Sequence, residues 1–226
     1  MTLKRYAEAD LPTAYGPFRL YVYRRVNPAS AGSPAGSPGN DAGSDTAPVE
    51  EHMAIVRGDI SRGSSVLCRV HSECWTSEVI GSLKCDCREQ LDSALEKIAA
   101  EGAGVVVYLR QEGRGIGLGN KIRAYDLQNQ GADTVEANLQ LGFHADARNY
   151  ELVLPMLQQF GIESVRLMTN NPRKIDALGK LGIQVAERVP LLVNRNAYND
   201  NYLNTKQAKL GHMMNPVTEA ALDSEA

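Results

Sequence analysis

The sequence lacks any uninterrupted apolar run near the roughly 20 residues that a membrane-spanning helix needs, which excludes such a helix. Its opening stretch, MTLKRYAEADLPTAYG, lacks the apolar core of a signal peptide, so a cytoplasmic protein is expected. A basic excess is missing too: 24 Lys+Arg against 27 Asp+Glu leave a formal charge of −3. That balance argues against a duplex nucleic-acid binder, whose affinity comes from neutralising phosphates. The His-Glu-x-x-His signature of zinc peptidases is absent, and so is the full histidine, glutamate and paired-cysteine signature of base deaminases. Cysteine is scarce, with four in 226 residues. In a reducing compartment these are expected as metal ligands or reactive thiols rather than disulfides.

A composition of 43% hydrophobic and 23% charged residues suits one ordinary globular domain. Residues 18–24 (FRLYVYR), 52–57 (HMAIVR) and 66–71 (VLCRVH) read as strands, and 104–109 (GVVVYL) as a strand buried on both faces. The segment after Cys87 places Leu91, Leu95 and Ile98 at helical spacing before Gly102. Further helices are expected over 121–130, 150–160, 172–181 and 200–212, with strands over 164–169 and 183–188. The fold class is therefore α/β: N-terminal β-strands or hairpins, then alternating helices and strands in a mixed sheet with flanking helices, one zinc-containing domain. Between Pro28 and Pro48, 17 of 21 residues are Pro, Ala, Gly or Ser, which predicts a flexible loop inside that domain. The domain is expected to span 1–212, followed by a disordered tail over 213–226.

The cysteines crowd into twenty residues: Cys68, Cys74, Cys85 and Cys87. Cys74, Cys85 and Cys87 follow the spacing C-x10-C-x-C. On an extended segment Cys85 and Cys87 would share a face, with Asp86 turned away. Thiolates favour zinc, and three of them leave a position open for water, as catalytic zinc sites do. The alternatives are a closed structural site with His71 as fourth ligand, and a set of inert buried thiols.

A glycine-rich loop with Gly113, Gly115, Gly117 and Gly119 follows a strand and opens a helix, a place where backbone amides favour an anion. It matches neither the dinucleotide nor the P-loop fingerprint. Arg110, Arg114, Lys121 and Arg123 accompany it. In TNNPRK (169–174), Asn171 reads as an N-cap and Pro172 as the first helical residue, bringing Arg173 and Lys174 to a second anion-favouring helix start. Each motif alone also reads as a plain surface turn. Together they favour a phosphorylated ligand.

The segments RVHSEC (69–74), SLKCDC (82–87), RQEGRGIGL (110–118), KIRAYDLQ (121–128), DTVEAN (133–138), LGFHADAR (141–148) and LMTNNPRK (167–174) together resemble GTP cyclohydrolase II, over roughly residues 65–212. The resemblance implies zinc, one ion per subunit, on Cys74, Cys85 and Cys87. It implies GTP contacts from Arg69, Val70, His71, Ser72, Glu73, Gln90, Glu112, Gly113, Arg114, Thr134, Thr169 and Lys174. Tyr125, Asp146 and Arg148 match the family's catalytic positions. Arg88 stands where many members have glycine, and the Pro28–Pro48 insertion precedes every matched segment.

The implied reaction opens riboflavin biosynthesis. Water attacks C8 of guanine, the imidazole ring opens and formate leaves; the α–β phosphate bond breaks and pyrophosphate leaves. Zinc suits the first half by acidifying water towards about pH 7. Tyr125 is the candidate to orient the ring or its water. Arg148 is conventionally the nucleophile on the α-phosphorus with Asp146 as proton acceptor, and an equally physical role for Arg148 is to stabilise charge. Mg2+ is implied on the triphosphate. The resemblance also implies a homodimer, monofunctional, with GTP as its partner and no nucleic acid or membrane.

Overall fold

The β-branched and aromatic runs become strands, and a computed structural model describes residues 2–26, 50–144, 146–191 and 194–213. The strands are β1 (Thr2–Thr13), β2 (Gly16–Val26), β3 (Glu51–Arg57), β4 (Val66–Ser72), β5 (Gly104–Leu109), β6 (Ser164–Met168) and β7 (Gln184–Val189). They form one mixed sheet in the order β1-β2-β3-β5-β4-β6-β7. β1, β2, β3 and β5 pair antiparallel in turn. β5, β4, β6 and β7 run parallel. The Pro28–Pro48 segment and residues 214–226 of the expected tail lie outside the described residues.

Seven helices accompany the sheet among the described residues: α1 (Trp75–Glu78), α2 (Cys87–Glu101), α3 (Gly117–Asn129), α4 (Thr134–Gln140), α5 (Val153–Gln158), α6 (Pro172–Lys180) and α7 (Asp200–Leu210). Alternation along the strands sends side chains to two apolar layers. Cys68, Val70, Val105, Val107, Val165 and Leu167 pack with Met156 and Leu157 of α5 and Leu178 of α6. Leu67, Val106 and Met168 pack on the other face with Ala94 and Ile98 of α2.

Four elements differ from the sequence reading. α1 is a single turn it did not expect, closed by the Val79 amide on the Trp75 carbonyl. β1 shows no apolar alternation because most of its residues are exposed on the sheet edge. α4 begins at a capping box in which Asp133 accepts from the Val135 and Glu136 amides and Glu136 answers to the Asp133 amide. α5 is shorter than 150–160, because Asn149 accepts the Glu151 amide in a turn (2.7 Å) and tight bonds close its far end before Gly161.

The parallel strands bring their C-terminal ends to one edge. β4 connects through α2 to β5 on one side, and β6 connects through α6 to β7 on the other. The gap between β4 and β6 is thus a topological switch point, where open α/β sheets bind ligands.

Leu167 is fully buried at the centre of this layer. Leu167→Ala is expected to cost about 3 kcal/mol of stability and to lower Tm by about 10 °C. Scanning calorimetry checks this, and an unchanged Tm would contradict the packing.

Candidate active site

Cys74 leaves the end of β4 and precedes the single turn of α1, where its carbonyl accepts the Ser77 and Glu78 amides. The Ser82 amide returns to the Thr76 carbonyl, bringing the chain back to Cys85. Cys87 is the first residue of α2, and Asp86 is its N-cap with φ −101° and ψ 13°. The Cys85–Cys87 step is therefore not the extended segment expected from sequence. It is a helix entry, bent because buried Asp86 is drawn to Lys206 and Gln90. The three sulfurs still converge, all within 4.8 Å of one another, with Cys74 Sγ and Cys85 Sγ 3.6 Å apart. Thiolates around a tetrahedral zinc stand roughly 3.8 Å apart, given Zn–S bonds of about 2.3 Å. The donor set and spacing fit a thiophilic metal and are consistent with zinc.

Hydrogen bonds from Cys85 and Cys87 hold the Cys74 thiol far below its usual range, with Lys121 assisting, while Cys85 and Cys87 are pushed up. Lys121 Nζ lies 3.1 Å from Cys74 Sγ and 2.8 Å from Glu112 Oε1. Burial works against that charge, and Tyr125, Cys74 and Glu112 outweigh it, so Lys121 stays firmly cationic. It offsets thiolate charge at the sulfur cluster. Burial, then the neighbouring Cys85, raises the Tyr125 phenol. His71 is outside the thiol cluster: its Nε2 meets Glu78 Oε1 at 2.8 Å, which removes the closed-site alternative.

Two adjoining pockets open at this edge. The first, about 630 Å³, holds the three cysteines, Ile116, Ala124, Tyr125 and Thr134, with Glu73 its lone carboxylate. The second, about 550 Å³, is lined by Arg69, Arg114, Arg148, Lys174 and Lys206 and by no carboxylate. Ser72, Cys87, Arg114, Arg148 and Tyr202 line both, so the two are lobes of one cleft. Six buried side-chain polar atoms lack a partner among the described residues, and four belong to the second lobe: Arg69 Nε, His71 Nδ1, Arg114 Nη1 and His212 Nδ1. Buried polar atoms are rarely left so, which points to a ligand. Burial, then Arg69 and Arg148, drives Lys174 well below the usual lysine range. Its Nζ donates to the Val70 carbonyl at 2.7 Å.

Most of the expected site residues meet here. Arg69, His71, Ser72, Glu73, Gln90, Gly113, Arg114, Thr134, Thr169, Lys174, Tyr125 and Arg148 line one lobe or both. Val70, Glu112 and Asp146 do not line it but hold residues that do. Asp146 grips Arg148 through Nε (2.8 Å) and Nη2 (2.5 Å). Burial opposes the Arg148 charge, and Asp146 more than restores it. The basic loop contributes less than its sequence suggests. Arg114 reaches the cationic lobe, but Arg110 pairs with Glu73, Arg123 bonds Asn120 and Lys121 serves the thiols. Gly115, with φ +91°, lets the loop approach Ala147: an added Cβ would meet the Ala147 carbonyl at 2.7 Å. Arg173 is exposed while Lys174 is buried in the lobe. Arg88 is exposed: its guanidinium pairs with Asp92 at 3.7 Å and its amide donates to Ser77 Oγ, so it takes no part in the cleft. Tyr202, Lys206 and His212 were missed; their signal is the i, i+4 placement of Tyr202 and Lys206 on one face of α7.

A family model described as GTP cyclohydrolase II matches residues 4–190. The chain is 53% identical over 214 residues to the GTP cyclohydrolase-2 of Hahella chejuensis (strain KCTC 2396), covering 95% of this chain and 94% of that protein. It is 50% identical over 214 residues to that of Shewanella sp. (strain ANA-3), covering 95% and 96%. Against the GTP cyclohydrolase-2 of Shewanella halifaxensis (strain HAW-EB4) identity is 46% over 226 residues, covering 100% and 99%.

Cys85→Ser is expected to lose most of the metal that the unsubstituted protein retains through gel filtration, by elemental analysis. Full retention would refute the three-sulfur site.

Proposed function

We propose how the cleft works from one premise: this chain belongs to the GTP cyclohydrolase II family, hydrolases acting on GTP in riboflavin biosynthesis. In our reading the guanine occupies the thiol-bearing lobe and the triphosphate the cationic one. The observation that carries this is the division of charge: five cations, no carboxylate and four orphaned polar atoms lie beside an aromatic and sulfur-lined pocket. A triphosphate supplies acceptors for the Arg69 and Arg114 donors among them and relieves the mutual repulsion that depresses Lys174. Arg69, Gln90, Thr169 and Lys174 then take the phosphates. Mg2+ enters with them, held by phosphate oxygens rather than by protein carboxylates.

Cys74, Cys85 and Cys87 would hold zinc, which supplies hydroxide at neutral pH. One water adds to C8 of guanine and a C8–N bond breaks to leave a formamide. A second water adds to that carbon, the remaining C8–N bond breaks, and C8 leaves as formate. Tyr125 lines the lobe that holds the thiols, and its hydroxyl orients the ring or the attacking water. Glu112 acts through others: it accepts from Lys121, from the Gly113 amide and from the Trp75 amide, fixing the loop over the cysteines. Thr134 at the start of α4 and Glu73 complete the base side. In the other half, water displaces pyrophosphate from the α-phosphorus, and the product is a diaminopyrimidine carrying a ribosyl phosphate. A guanidinium clamped by Asp146 keeps its proton, so Arg148 stabilises charge on the α-phosphate and Asp146 aims it. Thiol ligands suit a reducing cytoplasm. The exposed Trp75, Val79, Ile80 and Leu83 on and after α1 support a homodimer with one zinc per subunit.

The test is an NMR time course of the zinc-loaded protein with GTP and Mg2+, reading formate, pyrophosphate and pyrimidine together. Equal amounts of formate and pyrophosphate are expected, and no turnover would overturn the reading. Tyr125→Phe should slow formate release by about tenfold or more while affecting pyrophosphate less; equal loss of both counts against a role at the ring. Arg148→Ala should abolish pyrophosphate release, and normal release would exclude it from the phosphate half.

A further inference from the structure

Helix α7 reaches the cleft with two side chains, one turn apart, that the family resemblance does not assign. Lys206 lines the cationic lobe, and Tyr202 lines both lobes. The Lys206 side chain is 9% exposed, and its Nζ lies 2.6 Å from Asp86 Oδ1. The Tyr202 ring centroid is 4.3 Å from that Nζ. Asp86 also accepts from Gln90 Nε2 at 2.6 Å, and Gln90 Oε1 accepts from Arg69 Nη2 at 2.5 Å. One carboxylate thus gathers a lysine of α7 and, through Gln90, an arginine of β4. Beyond α7 the Met213 amide donates to the Asn170 carbonyl at 2.8 Å, fastening the end of the helix to the loop after β6. An ammonium has three N–H donors and Asp86 takes one. Asp86 balances one of five cations in the lobe, leaving a surplus of positive charge for an anion.

We propose that Lys206 is a further substrate-binding residue whose ammonium contacts the phosphate chain of the nucleotide, with α7 as the wall that closes the phosphate lobe. This rests on the assignment of the two lobes above. The competing role is local: Lys206 could serve only to neutralise Asp86, which stands between two metal-binding cysteines. Removing both charges separates the two roles.

The experiment compares zinc-loaded wild-type protein with Lys206→Met, Lys206→Arg and the double variant Asp86→Asn, Lys206→Met. It reads zinc content, kcat, KM for GTP and the inhibition constant for pyrophosphate, and titrates each protein with inorganic triphosphate by calorimetry. Lys206→Met is expected to raise KM and the pyrophosphate constant by about tenfold or more, the worth of a charge-assisted hydrogen bond. Lys206→Arg, which keeps the charge, should recover most of that loss. The double variant should match wild type in zinc content yet keep the raised KM and the weakened triphosphate binding. Return of both to wild-type values in the double variant would show that Lys206 acts only through Asp86. Unchanged KM and triphosphate affinity in Lys206→Met would overturn the proposal outright. A wild-type protein that binds triphosphate but leaves GTP intact would refute the reaction, and the triphosphate titrations would still decide the role of Lys206.

Discussion

A charge removed from water must be paired, and the buried carboxylate of Asp86 is the pairing on which this cleft depends. It sits in the one-residue gap between Cys85 and Cys87, 1% exposed. From there it fixes the entry of α2, draws in Lys206 and aligns Gln90 against Arg69. A neutral residue at this point would leave a buried lysine beside four other cations, an arrangement that burial alone makes costly. Asp86 also lies at the bend where two thiols one residue apart meet at one point, a result a flat strand would have reached by alternation. One residue thus adjoins both the sulfur cluster and the cationic lobe.

The rest of the sheet serves that arrangement. Four parallel strands end along one line, and the chain leaving three of them supplies a different chemical need: Cys74 after β4, Glu112 and Arg114 after β5, Thr169 and Asn171 after β6. The antiparallel strands β1 to β3 extend the sheet from the β5 side, away from the switch point between β4 and β6. Charge is sorted in the same spirit. Lys121 and Glu112 attend the thiols, Asp146 holds Arg148, and what remains is a lobe of cations whose free hydrogen-bonding atoms face a common space.

Much of this was readable in the residues. The buried parallel strand GVVVYL, the glycine stop at 102 and the Asn171-Pro172 helix start all stand where their chemistry requires. The cysteine spacing picked out the three sulfurs that converge, although the extended step it assumed is a helix entry. β1 was not legible because an exposed edge strand carries no burial pattern to read. α4 carried its signal openly in Asp133 and Glu136, the capping box that local hydrogen bonding demands. The division of labour among the basic residues was beyond sequence. Arg110, Lys121 and Arg123 neighbour Arg114 in the chain, but the pairing of Arg110 with Glu73 and of Lys121 with Cys74 depends on where distant segments fold, while Arg123 bonds locally to Asn120.

The ion pair between Asp86 and Lys206 joins positions 120 apart in the chain. Proteins are made from the N-terminus onward, and a domain folds as a unit. A growing polypeptide that has presented everything through β7 carries Asp86 without the lysine that offsets it, and lacks Tyr202, which lines both lobes. The last helix to be made therefore completes the cleft, and neither lobe is finished before it.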